Sequence, residues 1–194
     1  MKLLIISLIL CATFNLSGQV GIGTTSPNSI LDIESPSDDL PVLELNPQTA
    51  PVGTAMGQLS VIDDRMYLYD DTREKWLSLE SSTFNFGREG DSDNINLEYA
   101  GDIDRNGPRM PFNGTIVYAT MNSTGGVSDK SVSINITDSF GVTTSHNFAL
   151  VSGSILMDDL NIDIQAGDSI IINVSGDDAA VENLSAVLWI KWRK

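Results

Sequence analysis

Apolar side chains return at every second position in stretch after stretch of this chain: Val132, Ile134 and Ile136; Leu160, Ile162 and Ile164; Ile170, Ile172 and Val174. A period of two gathers such residues on one face of an extended strand, whereas a helix scatters them around its axis. The spacing predicts strands near 95–100, 114–121, 130–137, 142–151, 154–157, 159–164, 168–174 and 184–192. Turn signals separate them at Gly125-Gly126, Gly141, Gly167-Asp168 and Gly176-Asp177-Asp178. Short strands at this spacing predict an all-β head over 84–194, a β-sandwich or jelly roll. Sixteen Gly and seven Pro, without runs of Ala, Leu, Glu and Lys, also point away from helices. The last strand sets Leu184, Ala186, Leu188, Ile190 and Trp192 on one face and Val187 and Trp189 on the other. One face fills the sandwich; the other needs a cover.

Upstream of the head the pattern thins. Residues 63–83 read as a β-hairpin connector, with strands at Met66–Tyr69 and Lys75–Leu79 and a loop at Asp70–Glu74. Trp76 is placed to pack across it onto Tyr67 or Tyr69. Such a cluster is ordinary packing, although aromatic faces also serve to stack sugars. Residues 19–62 carry Pro at 27, 36, 41, 47 and 51, which excludes a long helix. Leu31 and Ile33 form one short alternating piece, Leu43 and Leu45 another. Neither closes a core alone, so this segment reads as an extended arm that packs against copies of itself. Residues 1–18 begin with Lys2, continue through the apolar run LLIISLILCATF and end in small and polar residues. That order is a signal peptide cleaved before Gln19, and the run is too short to span a bilayer. Leu10 precedes Cys11 where a lipoprotein needs a small residue, so lipidation is not expected.

The formal charge of −15 opposes nucleic acid and anionic lipid as partners. Losing residues 1–18 makes the chain one unit more negative and removes its one Cys, so no disulfide holds the exported protein together. A single His, His146, weakens nucleophile–base and zinc-site readings from the outset.

The stretch Val20-Gly21-Ile22-Gly23-Thr24-Thr25-Ser26-Pro27, followed by Leu31-Asp32-Ile33, resembles the opening of many bacterial surface proteins and phage tail-fibre segments. Residues 57–79 are similar to the fibre pattern of Gly, a short strand, a Tyr-containing strand and a terminal Trp. The head resembles the trimeric C1q/TNF-like jelly rolls of phage-fibre and collagen-like surface proteins. The matching residues are Gly107 through Ile116, Ala166-Gly167-Asp168 before Ile170–Val174, and the closing Trp189 through Arg193. The resemblance implies a homotrimer at or beyond the surface of a Gram-negative bacterium, and none of its motifs is a catalytic signature.

The sharpest local motif for chemistry is Asp102-Ile103-Asp104-Arg105-Asn106-Gly107. Oxygen ligands at every second position before a Gly can wrap calcium, as in the first half of an EF-hand loop. The twelfth position is Asn113 rather than a bidentate Glu, and no flanking helices are predicted. The alternative is an acidic Asx-rich turn. Asp91 and Asp93 would add ligands if the loops meet. The doublets Asp63-Asp64, Asp70-Asp71, Asp158-Asp159 and Asp177-Asp178 read as solubilising turn tips that discourage edge pairing. Two function classes follow. The first is a secreted structural or adhesive fibre subunit whose head binds a glycan or another surface component. The second is a carbohydrate-active enzyme on the same scaffold, which needs two carboxylates at a working separation. No activated pair is legible, so the first class is expected, without catalysis.

Overall fold

A computed structural model describes residues 19–35, 41–101, 107–125, 130–176 and 181–193. The expected signal peptide at 1–18 and the calcium candidates Asp102, Asp104 and Asn106 lie outside the described residues. The described residues contain no helix, and the chain divides after Asn46 into two units.

In the first unit, β1 (Val20–Ile22) and β2 (Leu31–Ile33) pair in parallel, Val20 beside Leu31 and Ile22 beside Ile33. Leu31 and Ile33 therefore have a partner strand close by in the chain. In-register partners share a face, so these four apolar side chains lie together while Gly21 and Asp32 point the other way. The connection 23–30 closes on itself. The Val20 N–H donates to the Ile30 carbonyl and the Glu34 N–H to the Ile22 carbonyl, both at 2.8 Å. The Asn28 N–H donates to the Asp32 carboxylate at 2.7 Å. Gly23 sits at φ +79, and a Cβ there would lie 2.0 Å from the Glu34 carbonyl oxygen. The Gly-rich opening is thus a tight crossover that a larger residue would block. The expected strand at Leu43–Leu45 does not form: among the described residues no strand pairs with it, and a strand without a ladder leaves its backbone groups unmatched.

The second unit contains β3 (Leu59–Ile62), β4 (Arg65–Asp70), β5 (Lys75–Gly87), β6 (Asp91–Ser92), β7 (Ile95–Asn96), β8 (Glu98–Tyr99), β9 (Gly114–Asn122) and β10 (Lys130–Thr137). It continues with β11 (Thr143–Leu150), β12 (Ser154–Met157), β13 (Ile162–Ile164), β14 (Ser169–Ser175), β15 (Val181–Glu182) and β16 (Ser185–Arg193). An eight-stranded sheet runs β12-β9-β16-β5-β4-β3, with β13 on β9 and β8 on β5. A four-stranded sheet runs β11-β10-β14-β7, and β15 pairs with β6. One hydrophobic cluster joins the sheets. Ile116, Met121, Leu188 and Ile190 come from the large sheet, and Val132, Ile134, Ile172 and Val174 from the small one. The result is an all-β sandwich of jelly-roll type. Strand β5 passes without a break from the hairpin into the head, and β3 and β4 extend the same sheet.

Candidate functional site

The two head motifs singled out by their resemblance meet in space. Gly107–Met110 lies along the turn before β14: the Met110 N–H donates to the Asp168 carbonyl at 2.8 Å and the Gly167 N–H to the Met110 carbonyl at 2.8 Å. The buried Asp168 carboxylate accepts the Gln165 N–H at 2.7 Å and holds that turn. A Cβ on Gly107 would fall 1.5 Å from the Ile170 carbonyl oxygen. This close approach accounts for the glycine without a cation. Asp93, an expected extra ligand, instead pairs at 3.0 Å with Lys130, whose side chain is fully buried. Asp91 stands in β6 opposite Glu182. Among the described residues no three His, Cys, Asp or Glu side chains cluster as a metal site.

The hairpin aromatics pack as expected. Tyr69 and Trp76 are direct cross-strand partners with ring centroids 5.3 Å apart. The Trp76 indole N–H donates to the Pro51 carbonyl at 2.9 Å, and Tyr67 is only 5% exposed. These rings are committed to structure.

Two of the acidic doublets, at Asp70 and Asp159, are more than tips. Asp70 accepts Arg73 twice, from its backbone N–H at 3.0 Å and its guanidinium at 2.8 Å. The same guanidinium donates to the carbonyls of Leu160 and Val117 and to the Asp159 carboxylate. Nearby, Lys75 and Arg193 share the Asp163 carboxylate at 2.6 and 3.4 Å. These two cationic straps bind the hairpin loop to the head. Burial raises the Asp70 pKa; the Arg73 hydrogen bonds and charge, with the Thr72 backbone N–H, outweigh it and hold the carboxyl below its ordinary value. His146 faces Ile134 from the edge strand β11 and is half-buried.

Two surfaces of the large sheet offer contact chemistry. On its outer side Trp189 lies between Thr83 and Tyr118, its ring edge-on to Tyr118 with centroids 4.8 Å apart. Val187 and the exposed Leu156 flank Thr120 in the next row. This is the second apolar face of the last strand expected from its sequence. At the other end a cleft opens between the β3–β4 turn and the 111–113 loop. The Arg65 guanidinium sits 4.2 Å over the ring of Phe112, which in turn meets Trp192 edge-on with centroids 5.8 Å apart. The Trp192 indole N–H is held at 3.0 Å by Ser82 and its backbone N–H at 2.9 Å by Ser78. Cavities of about 530 and 520 Å³ flank this stack, sharing Asp64, Arg65 and Phe112 as walls. Sequence reasoning missed the cleft because Arg65, Phe112 and Trp192 come from three distant segments. The one local signal was the exposed aromatic between Pro111 and Asn113.

Among the described residues no helix is long and apolar enough to cross a membrane. No protein-family model matches the chain, and no curated protein matches it significantly. Among solved structures it is similar to the globular domain of zebrafish complement 1qA, at 15% sequence identity and a TM-score of 0.31, over 59% of this chain and 100% of that domain.

Proposed function

We propose that this chain is a secreted, homotrimeric structural or adhesive subunit of a Gram-negative bacterial surface, whose arm assembles the fibre and whose head binds a surface glycan. The head works by binding rather than by catalysis. The observation that carries this reading is the uncovered apolar face of the β1–β2 pair, where Val20, Ile22 and Leu31 are 53%, 54% and 56% exposed. Exposed apolar groups gathered on one small face mark an interaction surface, and symmetric packing of further copies is the simplest cover. Each large aliphatic side chain so buried contributes roughly 1.5–3 kcal/mol. That helps offset the ordering of a segment with no disulfide. The pair Trp189 and Tyr118 on the outer side supports the same reading at the head, since aromatic residues are enriched in subunit contacts. An acidic chain of −15 fits a partner without phosphate.

A glycan array probed with the mature protein, with and without calcium, combined with light scattering at neutral pH and moderate salt, tests the proposal. A trimer that retains specific glycans is expected. A stable monomer would end the trimeric reading, and an array that retains no glycan would end the glycan-binding one.

A further inference from the structure

The cleft around Phe112 has a chemistry that selects its occupant. Phe112 is 43% exposed, yet its ring is fixed by the Trp192 edge and by Arg65. The cavities on either side, about 530 and 520 Å³, fall within the range of small-ligand sites, ~300–1,000 Å³. Their rim mixes acceptors and donors. Asp64 and Glu80 offer carboxylate oxygens, whereas Arg65 and the Asn113 amide offer N–H groups. The Asn113 side-chain amide oxygen accepts the Ala166 N–H at 2.9 Å, which fixes the orientation of that amide.

Charge narrows the choice. In the cavity walled by Glu80, an anionic ligand would meet Asp64 and Glu80 against one cation among the described residues, Arg65, on a chain of net −15. A cationic ligand would seek the aromatic face, but the Arg65 guanidinium already holds the cation position over Phe112. What remains is a neutral molecule with an apolar C–H face for the aromatic rings and hydroxyls that both donate and accept. We infer that this cleft is a binding site for a neutral saccharide. On the side walled by Glu80, vicinal hydroxyls donate to Asp64 and Glu80, Arg65 donates to a ring or hydroxyl oxygen, and the sugar's C–H face rests on exposed Phe112 and half-buried Trp192. The inference rests on the proposed glycan-binding role of the head and gives that role a place and a ligand class.

The test uses the mature protein and a panel of glucose, galactose, mannose, N-acetylglucosamine and their β-linked disaccharides. Saturation-transfer NMR and Trp fluorescence titration read binding. At least one neutral saccharide is expected to bind, with affinity falling tenfold or more in Phe112→Ala. Exposed Glu80→Gln, which removes a charge and no packing, is expected to weaken it by a similar factor. Phe140→Ala alters an aromatic that is 91% exposed on the β10–β11 turn, and it is expected to leave affinity unchanged. If a saccharide binds with equal affinity to Phe112→Ala and Glu80→Gln, or is lost in Phe140→Ala instead, the cleft assignment is overturned while the head remains a glycan binder. If a full glycan array is blank, the glycan-binding role falls and this site with it.

Discussion

Gly107 and Asp70 each answer to a single physical demand. With the Ile170 carbonyl where a Cβ would go, Gly107→Ala must push two backbone segments apart. Overpacking of this kind costs about 1–3 kcal/mol, and urea denaturation of wild type and variant should show that loss. Asp70 bears on acid stability. Its folded pKa lies below its unfolded value, so its contribution is complete above the unfolded pKa, near ~3.9. It is lost as pH falls through the lower, folded value. The stability gap between wild type and Asp70→Asn should therefore hold steady from pH 7 to about 5 and shrink below pH ~4. A gap that instead widens in acid would contradict the Arg73 pairing. Arg73→Ala removes hydrogen bonds to two carboxylates and to two head carbonyls. Each charged hydrogen bond is worth roughly 1.5–3 kcal/mol, so melting should fall clearly while the strand content by circular dichroism stays native.

At the scale of elements, most strands of the head with one buried face were legible, although the Phe84–Gly87 end of β5 was not. Alternation in Val132–Ile136 and Ile170–Val174 faithfully traces β10 and β14, because a period of two has one structural meaning there. It failed where packing does not demand apolar residues. Strand β5 runs on through Ser81, Ser82 and Thr83, a polar stretch that reads as a loop, because β16 supplies a full ladder beside it. The brief β6 and β15 have no pattern of their own and exist through each other. Leu43 and Leu45 show the converse, an alternation with no ladder to join. The cationic straps and the Phe112 cleft were illegible for one reason. Arg73 reaches residues more than eighty positions away, and no local pattern encodes such a meeting. The arm's exposed face yields an element-scale prediction. Ile22→Asp together with Leu31→Asp should convert the proposed trimer to monomer by light scattering, with the head's melting temperature unchanged. Retention of the trimer would place assembly elsewhere.

For the whole molecule, export and cation binding are the properties to measure. The native protein is expected to begin within a few residues of Gln19, by intact mass. A chain retaining residues 1–18 would exclude processing there. Calcium, if it acts, is expected to act through Asp102, Asp104 and Asn106. Asp102→Asn with Asp104→Asn should abolish a calcium-dependent rise in melting temperature, because a ligand of the folded state alone stabilises it. Silence in titration calorimetry of the wild type would leave an acidic turn in that place. The position of β16 carries a consequence for how the head comes into being. It lies between β9 and β5 at the middle of the large sheet, although its residues are delivered after those of every other described strand. Until it arrives, β5 and β9 have no ladder between them, and the core lacks Leu188 and Ile190. Long-range pairing of this kind is slow and must wait for its last member. The large sheet thus has a single keystone: without β16 both β5 and β9 are left as open edges, and the head closes only when that strand is seated between them.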